Sequence, residues 1–302
     1  MKDMRQLHHF LAVADTLHFN QAAERLGITQ PPLSQSIQAL ERELGAPLFV
    51  RSKRSVALTA FGRQWLDHVR PAVAAIAALP DIARALRDGR AGRLDLSFVS
   101  TADYNLLPAL VRAYAARFPE VELTLTEATS DVQIERLLDG QGQAGIIIPP
   151  EGPLPAALSY LPLLREPLVA AMPEAWVAEA RLRHSGSLGS DWLDRPLILF
   201  PRRVAPIFHD LVTTYLERRA QPPHIRQEAI QMQTIISLVS AEMGFALVPA
   251  SMRHLARTGV RYVDLDDAPL LETGLAWRGG DDAATLAGLI EVARADYGGR
   301  VS

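Results

Sequence analysis

At 302 residues, with 48% hydrophobic, 22% charged and 6% aromatic side chains, the chain has the composition of a globular protein of two or three domains, which excludes disordered and fibrous classes. It holds no cysteine, so disulfides, thiolate metal sites, iron–sulfur clusters and a cysteine nucleophile are excluded together. The net charge of −3 is uneven: residues 1–92 carry 12 Lys/Arg against 8 Asp/Glu and the remainder 19 against 26, so a basic segment on an acidic body points to a module that meets a polyanion, unless the imbalance is fortuitous.

No apolar run approaches the roughly 18 residues of a membrane span. Arg5, His8, His9 and Asp15 also interrupt every N-terminal apolar run, so no secretory segment and no membrane association are expected, and a cytoplasmic location is.

Met4, Leu7, Phe10, Leu11, Ala14 and Leu17 recur at steps of three and four, which predicts an amphipathic helix over 4–17. Asn20 is suited to cap a second helix over 21–26, with Ala22 and Ala23 allowing close packing and Gly27 ending it. Thr29 then caps a third helix, whose early prolines, Pro31 and Pro32, fall where amides have no helical partner. In that helix Leu33, Ile37, Leu40 and Leu44 form the inward stripe, while Pro31, Gln35, Gln38 and Arg42 project outward, with Gln30 and Ser34 near its start. A Gln-rich face entered from its N-terminal end suits the major groove, since Gln pairs with adenine and Ser reaches a base or phosphate; a merely solvated face is the alternative. The following segment decides between them. Leu48-Phe49 and Val56-Ala57-Leu58 flank Arg51, Lys53 and Arg54, which predicts a two-stranded wing whose cations meet phosphates.

The ordered string Ala22-Ala23, Leu26, Gln30-Pro31-Pro32-Leu33-Ser34, Leu40-Glu41, Leu44-Gly45, Leu48-Phe49, Arg51, Leu58-Thr59 and Phe61-Gly62 resembles the LysR-type transcriptional regulators. His18 and Asn20 stand where that family often has Ser, and Gln35 where it often has Arg. The resemblance implies a winged helix-turn-helix on promoter DNA, a linker helix that pairs two chains, a homodimer or homotetramer, and contact with RNA polymerase. It assigns the DNA face to Thr29, Gln30, Pro31, Ser34, Gln35, Gln38, Arg51, Lys53 and Arg54.

From Thr59 onward Phe61, Trp65, Val69, Ala72, Ile76 and Leu79 repeat at spacings near 3.5, which predicts a long helix with one apolar seam. Pro71 predicts a kink, Pro80 the end of the paired stretch, and residues 88–92 a domain boundary. The expected domains are therefore 1–58, 59–88 and 89–302.

Beyond the boundary, strands at 94–99, 121–127 and 144–148 alternate with helices at 106–118 and 132–138, the pattern of a parallel sheet. A second cycle follows over 168–172, 197–200, 206–218, 225–227, 234–242 and 245–249, before residues 275–277 and a helix over 283–297 return to the first lobe. Two α/β lobes (93–165 with 268–302, and 166–267), crossing near 163–167 and 263–269, form a cleft like that of periplasmic binding proteins. Ligands in such sheets sit beyond strand ends and on helix N-termini. Ser100-Thr101, Thr129-Ser130, and Gln231 with Gln233 occupy such ends, with Pro201-Arg202-Arg203 and an aromatic wall at Phe208; simple helix capping by Ser and Thr is the alternative.

The body is most similar to regulators of aromatic catabolism within the same family, through Phe200-Pro201-Arg202, Pro206-Ile207-Phe208 and residues 247–251. That resemblance implies an effector carboxylate on Thr101 and Ser130, with Ser100 and Thr129 beside them and Phe208 on the apolar part. Ile148 stands where muconate-responsive members carry Arg, so a monocarboxylate or aromatic acid is expected, unless Arg202 or Arg203 supplies the missing cation.

Other signals carry no chemistry. The glycines of 140–145 follow a helix and precede a strand, the reverse of a dinucleotide motif; the eight histidines lack metal-binding spacing; 185–189 reads as a flexible turn, and Asp264, Asp266 and Asp267 as a solvated loop. The expectation is a ligand-responsive regulator without metal, cofactor or catalysis. A solute-binding protein with the same two-lobed body is the alternative, and an enzyme with a Ser, His or Asp site the third reading.

Overall fold

The computed structural model describes residues 3–52, 55–179, 192, 194–219 and 223–298. The chain divides into two units, Met1–Arg84 and Ala85–Ser302.

In the first unit α1 (Met4–Thr16) starts on Asp3, whose carboxylate accepts from the Arg5 amide at 2.9 Å. Its inward residues Leu7, Phe10 and Val13 are buried. The next helix, α2 (Phe19–Leu26), begins two residues before the expected start, because His18 rather than Asn20 caps it, Nδ1 accepting from the Gln21 amide. The earlier start buries Phe19, which meets Phe49 edge-on at 6.0 Å. Gly27 turns the chain at φ 68° into α3 (Gln30–Leu44), where Leu33, Ile37 and Leu40 are fully buried. Thr29 has the extended backbone of a cap, but its side chain makes no capping bond. The hairpin β1 (Phe49–Arg51) and β2 (Val56–Leu58) pairs Phe49 with Leu58 and Arg51 with Val56.

Helix α4 (Ala60–Arg87) is capped by Thr59, whose hydroxyl accepts from the Gly62 amide at 2.7 Å and donates to the Pro47 carbonyl at 2.8 Å. Gly62 is required, since a Cβ there would lie 2.2 Å from the Leu48 carbonyl oxygen. The predicted seam divides: Val69, with Val73, is buried in the unit's own core, whereas Phe61, Ile76 and Leu79 are exposed. The helix continues through Pro71 and Pro80, both on exposed positions where solvent can satisfy the carbonyls that lose a donor.

The second unit contains β3 (Ala91–Phe98), α5 (Leu106–Arg117), β4 (Glu120–Glu127), α6 (Ser130–Leu138), β5 (Ala144–Ile147) and β6 (Leu158–Pro173). It continues with α7 (Glu174–Glu179), β7 (Leu197–Leu199), α8 (Pro206–Glu217), β8 (Ile225–Glu228), α9 (Met232–Ser240) and β9 (Ala246–Pro249), then β10 (Val260–Asp264), β11 (Leu270–Arg278) and α10 (Ala284–Tyr297). The main sheet runs β10-β6-β11-β5-β3-β4, with β9 also on β6. Strand β3 is parallel to β4 and β5, as the alternation predicts, but β11 is antiparallel to β5 and to β6, so the sheet is mixed.

The difference arises at the crossings. Strand β6 is one continuous strand that pairs β11 through Pro167 and then β9 from Leu168 and β10 from Val169, so the first crossing lies within a strand rather than in a connection. The second crossing is the turn between β10 and β11, where Asp267 takes φ 47°. Parallel strands β7 and β8 complete the second lobe, with Leu197 bridged to Phe245. Helix α10 closes the first lobe, where Gly288 packs against the Phe118 ring and Thr285 accepts from the Tyr114 hydroxyl at 3.0 Å. The segment 185–189 lies outside the described residues.

Candidate functional site

On the outer side of α3, Gln30, Pro31, Gln35 and Gln38 are exposed, Thr29 is exposed just before them, and Ser34 is half-buried. The inward stripe holds this face rigid, and the His9 ring bonds Ser36 Oγ at 2.8 Å to tie α3 to α1. Arg51 returns from the hairpin to the same helix. Its guanidinium lies 4.5 Å over the Phe19 ring, donates to Ser34 Oγ at 3.1 Å and faces the Glu41 carboxylate at 3.5 Å. Arg51 is thus braced on α3 instead of standing free on the wing. Ser52 and Ser55 close the hairpin through a backbone bond of 2.9 Å, while Lys53 and Arg54 lie outside the described residues.

Glu41 was not identified from its sequence position. One of its oxygens accepts from the amides of Leu48 at 2.8 Å and Phe49 at 3.1 Å, fixing where the wing begins relative to the recognition helix. A carboxylate on a helix next to a buried Leu reads as ordinary amphipathicity, so only the fold exposes this role.

In the second unit a cavity of about 510 Å³ lies beyond the carboxyl ends of the parallel strands of both lobes. Ser100 and Thr101 follow β3, Thr129 and Ser130 open α6 after β4, and Ile148 follows β5; all five line it. From the other lobe Phe208, at the start of α8, and Gln231, before α9, also line it. Phe208 is buried and meets Phe200 edge-on at 5.5 Å, so the aromatic wall is part of the core.

Four expected residues lie elsewhere. The Arg202 guanidinium is taken by Asp210, at 2.7 and 2.8 Å, and its bonds hold the Asp210 carboxyl down at about 2. Pro201 is buried in the turn before α8, its carbonyl accepting from the amides of Val204 and Ala205. Gln233 is exposed on α9 and does not line the cavity. Arg203 is exposed and does not line the cavity.

The polar wall is built with little slack. Ser130 Oγ accepts from the Ile148 amide at 3.0 Å, which leaves its hydrogen available for donation. Gln133, almost fully buried, donates to the carbonyls of Ala128 at 2.8 Å and Ile146 at 3.2 Å, locking the start of α6 onto β5. Thr101 Oγ1 is buried with no hydrogen-bond partner. Ile134, one turn after Ser130, adds apolar lining together with Val204 and Ile207. The helical spacing of Ser130 and Ile134 is a signal the sequence contains; Gln133 looks like any polar helix residue. The ionisable residues of the lining are Glu127 and Asp131, both acidic. Among the described residues no group of three or more His, Asp or Glu side chains is placed to hold a metal, and no helix is long and apolar enough to cross a membrane.

Comparison with known proteins agrees with both halves of this description. Residues 4–63 match the bacterial regulatory helix-turn-helix domain of the lysR family, and residues 87–297 match the LysR substrate binding domain. The transcriptional regulator IlvR of Caulobacter vibrioides is 64% identical, with 97% of this chain and 98% of that protein aligned. AlsR of Bacillus subtilis is 38% identical over 89% of this chain and 87% of its own length. The crystal structure of full-length CbnR complexed with its target DNA superposes with a TM-score of 0.76 at 27% identity, covering 97% of this chain and 99% of that one. The chain therefore belongs to the LysR family, and is a transcriptional regulator with an N-terminal helix-turn-helix DNA-binding domain and a C-terminal effector-binding domain.

Proposed function

We propose that the chain, acting in the cytoplasm without catalysis, couples occupancy of the cleft to promoter binding. The observation that carries this reading is Thr101 Oγ1, a buried hydroxyl without a partner in the wall of a largely apolar cavity. Leaving such a group unsatisfied costs about 1 to 3 kcal/mol, a cost that a bound acceptor removes. Residues 1–58 form the DNA-binding domain, 59–88 the linker and 89–302 the effector domain, with lobes 93–165 plus 268–302 and 166–267. Gln30, Pro31, Ser34, Gln35 and Gln38 face base edges next to Thr29, with Arg51, Lys53 and Arg54 on phosphates. The exposed apolar residues Ile76, Leu79 and Ile82 of α4 support pairing of two chains along this helix, and a dimer of such dimers gives the tetramer. RNA polymerase is the partner at the promoter.

The effector is a small monoacid with an apolar part, in keeping with regulators of aromatic catabolism. Ile148 offers no cation to a second carboxylate, and Arg202 is engaged by Asp210. Two measurements test the reading. Gln30→Ala should lower specific promoter affinity by about 1 to 3 kcal/mol without changing binding to random DNA. Calorimetric titration should give tighter binding for benzoate than for muconate, with benzoate affinity reduced in Thr101→Ala and Ser130→Ala; tighter binding of the diacid would refute the assignment.

A further inference from the structure

The cavity wall is unbalanced in charge. Its polar groups near Thr101 and Ser130 are hydrogen-bond donors without a counter-anion, and its ionisable side chains, the exposed Glu127 and Asp131 at its rim, are anions without a protein counter-cation. Neither carboxylate has a hydrogen bond or ion pair among the described residues. Asp131 alone has a local explanation, since an acid in the first turn of α6 complements the helix dipole. Glu127 has none. It ends β4, outside any helix, and faces another anion, Asp103, whose carboxyl is held above the usual range by partial burial and by the Glu127 charge.

The donor side is independently marked. Thr101 is 7% exposed and its Oγ1 lacks a partner, and the Ser130 hydroxyl, accepting from Ile148, keeps its hydrogen for a ligand. The amides of the first turn of α6 likewise have no helical acceptor. An anion therefore suits the donor side and a cation the acid side, in one cavity. Ile134, Ile148, Phe200, Val204, Ile207 and Phe208 supply an apolar chamber beyond them. The acids do not converge into a metal site among the described residues, so the cation suited to them is an organic ammonium.

From this juxtaposition we infer that the effector is a zwitterion, a free α-amino acid with a hydrophobic side chain: its carboxylate on Thr101, Ser130 and the start of α6, its ammonium toward Glu127 and Asp131, and its side chain in the apolar chamber. This rests on the reading of the cavity as the effector site and narrows it. A deaminated monoacid keeps the carboxylate contacts and leaves the acids unpaired; a diacid adds repulsion from them.

The test is calorimetric titration of the full chain with L-leucine, 4-methylpentanoate, 3-methylbutylamine and glycine. L-Leucine should bind at least about tenfold more tightly than 4-methylpentanoate, which lacks only the ammonium, and more tightly still than the amine or glycine. In the double variant Glu127→Gln/Asp131→Asn, checked for an unchanged unfolding transition, the preference for leucine over the monoacid should fall to near one. Equal or tighter binding of 4-methylpentanoate to the unaltered chain overturns the inference and leaves the monoacid reading intact, as does a leucine preference that survives the double variant. Binding of none of the four, or leucine binding unaffected by Thr101→Ala, overturns the inference; with benzoate also failing to bind, the cavity reading falls as well.

Discussion

The two units build their sites in opposite ways. The proposed DNA face comes from one helix and the hairpin after it, within residues 29–55, and the geometry of its described part is set by local caps, by Glu41 and by a small core beneath. The cavity takes residues from Val99 to Gln231, brought together only by sheet register and by two crossings between lobes. A site of the first kind depends on the stability of its own small unit. A site of the second kind depends on hydrogen bonds that join strand ends.

The largest way to probe this contrast is Leu40→Ala. Leu40 is fully buried in a core that includes Phe10, Leu33 and Val69 and is distinct from the core of the second unit. Truncation should cost about 2 to 5 kcal/mol. Calorimetry should show the transition of the first unit lowered and that of the second unmoved, with promoter binding lost and effector binding kept. If both transitions shift together, the two cores are not independent.

Gly62→Ala sharpens the same point at smaller scale. In an ordinary helix interior the change would stabilise by up to about 1 kcal/mol. Here the new methyl meets the Leu48 carbonyl oxygen, which is backbone and is held by the Thr59 hydroxyl and amide, so the sign should reverse to a loss of about 1 to 3 kcal/mol. A denaturation midpoint at or above that of the unaltered chain would show that the start of α4 yields easily.

How much of each unit could be read in advance follows the same division. The three helices, the wing and the long helix are local patterns, and the stripe of Leu33, Ile37 and Leu40 identified the inward face directly. The misreadings there are small and physical: burial of Phe19 moved the α2 cap from Asn20 to His18, and solvent exposure let α4 pass both prolines. In the second unit the strand ends bearing Thr101 and Ser130 were legible because alternation gives strand order within a lobe. The antiparallel crossing strands were not, since β6 carries two pairings along one uninterrupted run. Arg202 illustrates the limit at a single residue. Its direction depends on Asp210, eight positions later on α8, which no periodicity marks as a partner.

Within the cavity wall, Ser130→Ala and Thr101→Ala should separate structure from binding. Ser130→Ala leaves the buried Ile148 amide without its acceptor and should cost about 1 to 3 kcal/mol in denaturant unfolding. Thr101→Ala breaks no hydrogen bond within the protein, so its unfolding midpoint should move less while its effector affinity falls. A reversed order of the two midpoints would contradict the hydrogen-bond assignment of the wall.

The smallest expected effect is a difference in pH response between the units. His9 in the first unit is held below its ordinary 6.5, mainly by burial, with the Arg5 charge adding to it. Its folded form binds a proton less readily than the unfolded chain does, so stability of that unit is full above the ordinary value and declines as pH falls through the folded one. Glu166 in the second unit has the opposite sign. Burial pushes its carboxyl above 4.5, against the Ser251 amide at 2.6 Å, the Ser251 hydroxyl at 3.0 Å and the nearby His254 charge. Its folded form holds the proton more tightly, so that contribution is present below the ordinary value and is lost as pH rises through the folded one. Asp103 acts in the same direction, and Asp210, held at about 2, responds only below the ordinary aspartate value of 3.8. Raising the pH from about 4.5 toward 6.5 should therefore raise the first transition and lower the second. His9→Asn should flatten the first response and Glu166→Gln should weaken the second, because Glu166 lies on β6 at the crossing, where its carboxylate accepts from the Ser251 amide and hydroxyl. Parallel movement of both transitions would mean that the net charge of the whole chain, rather than these buried groups, governs how each unit responds to pH.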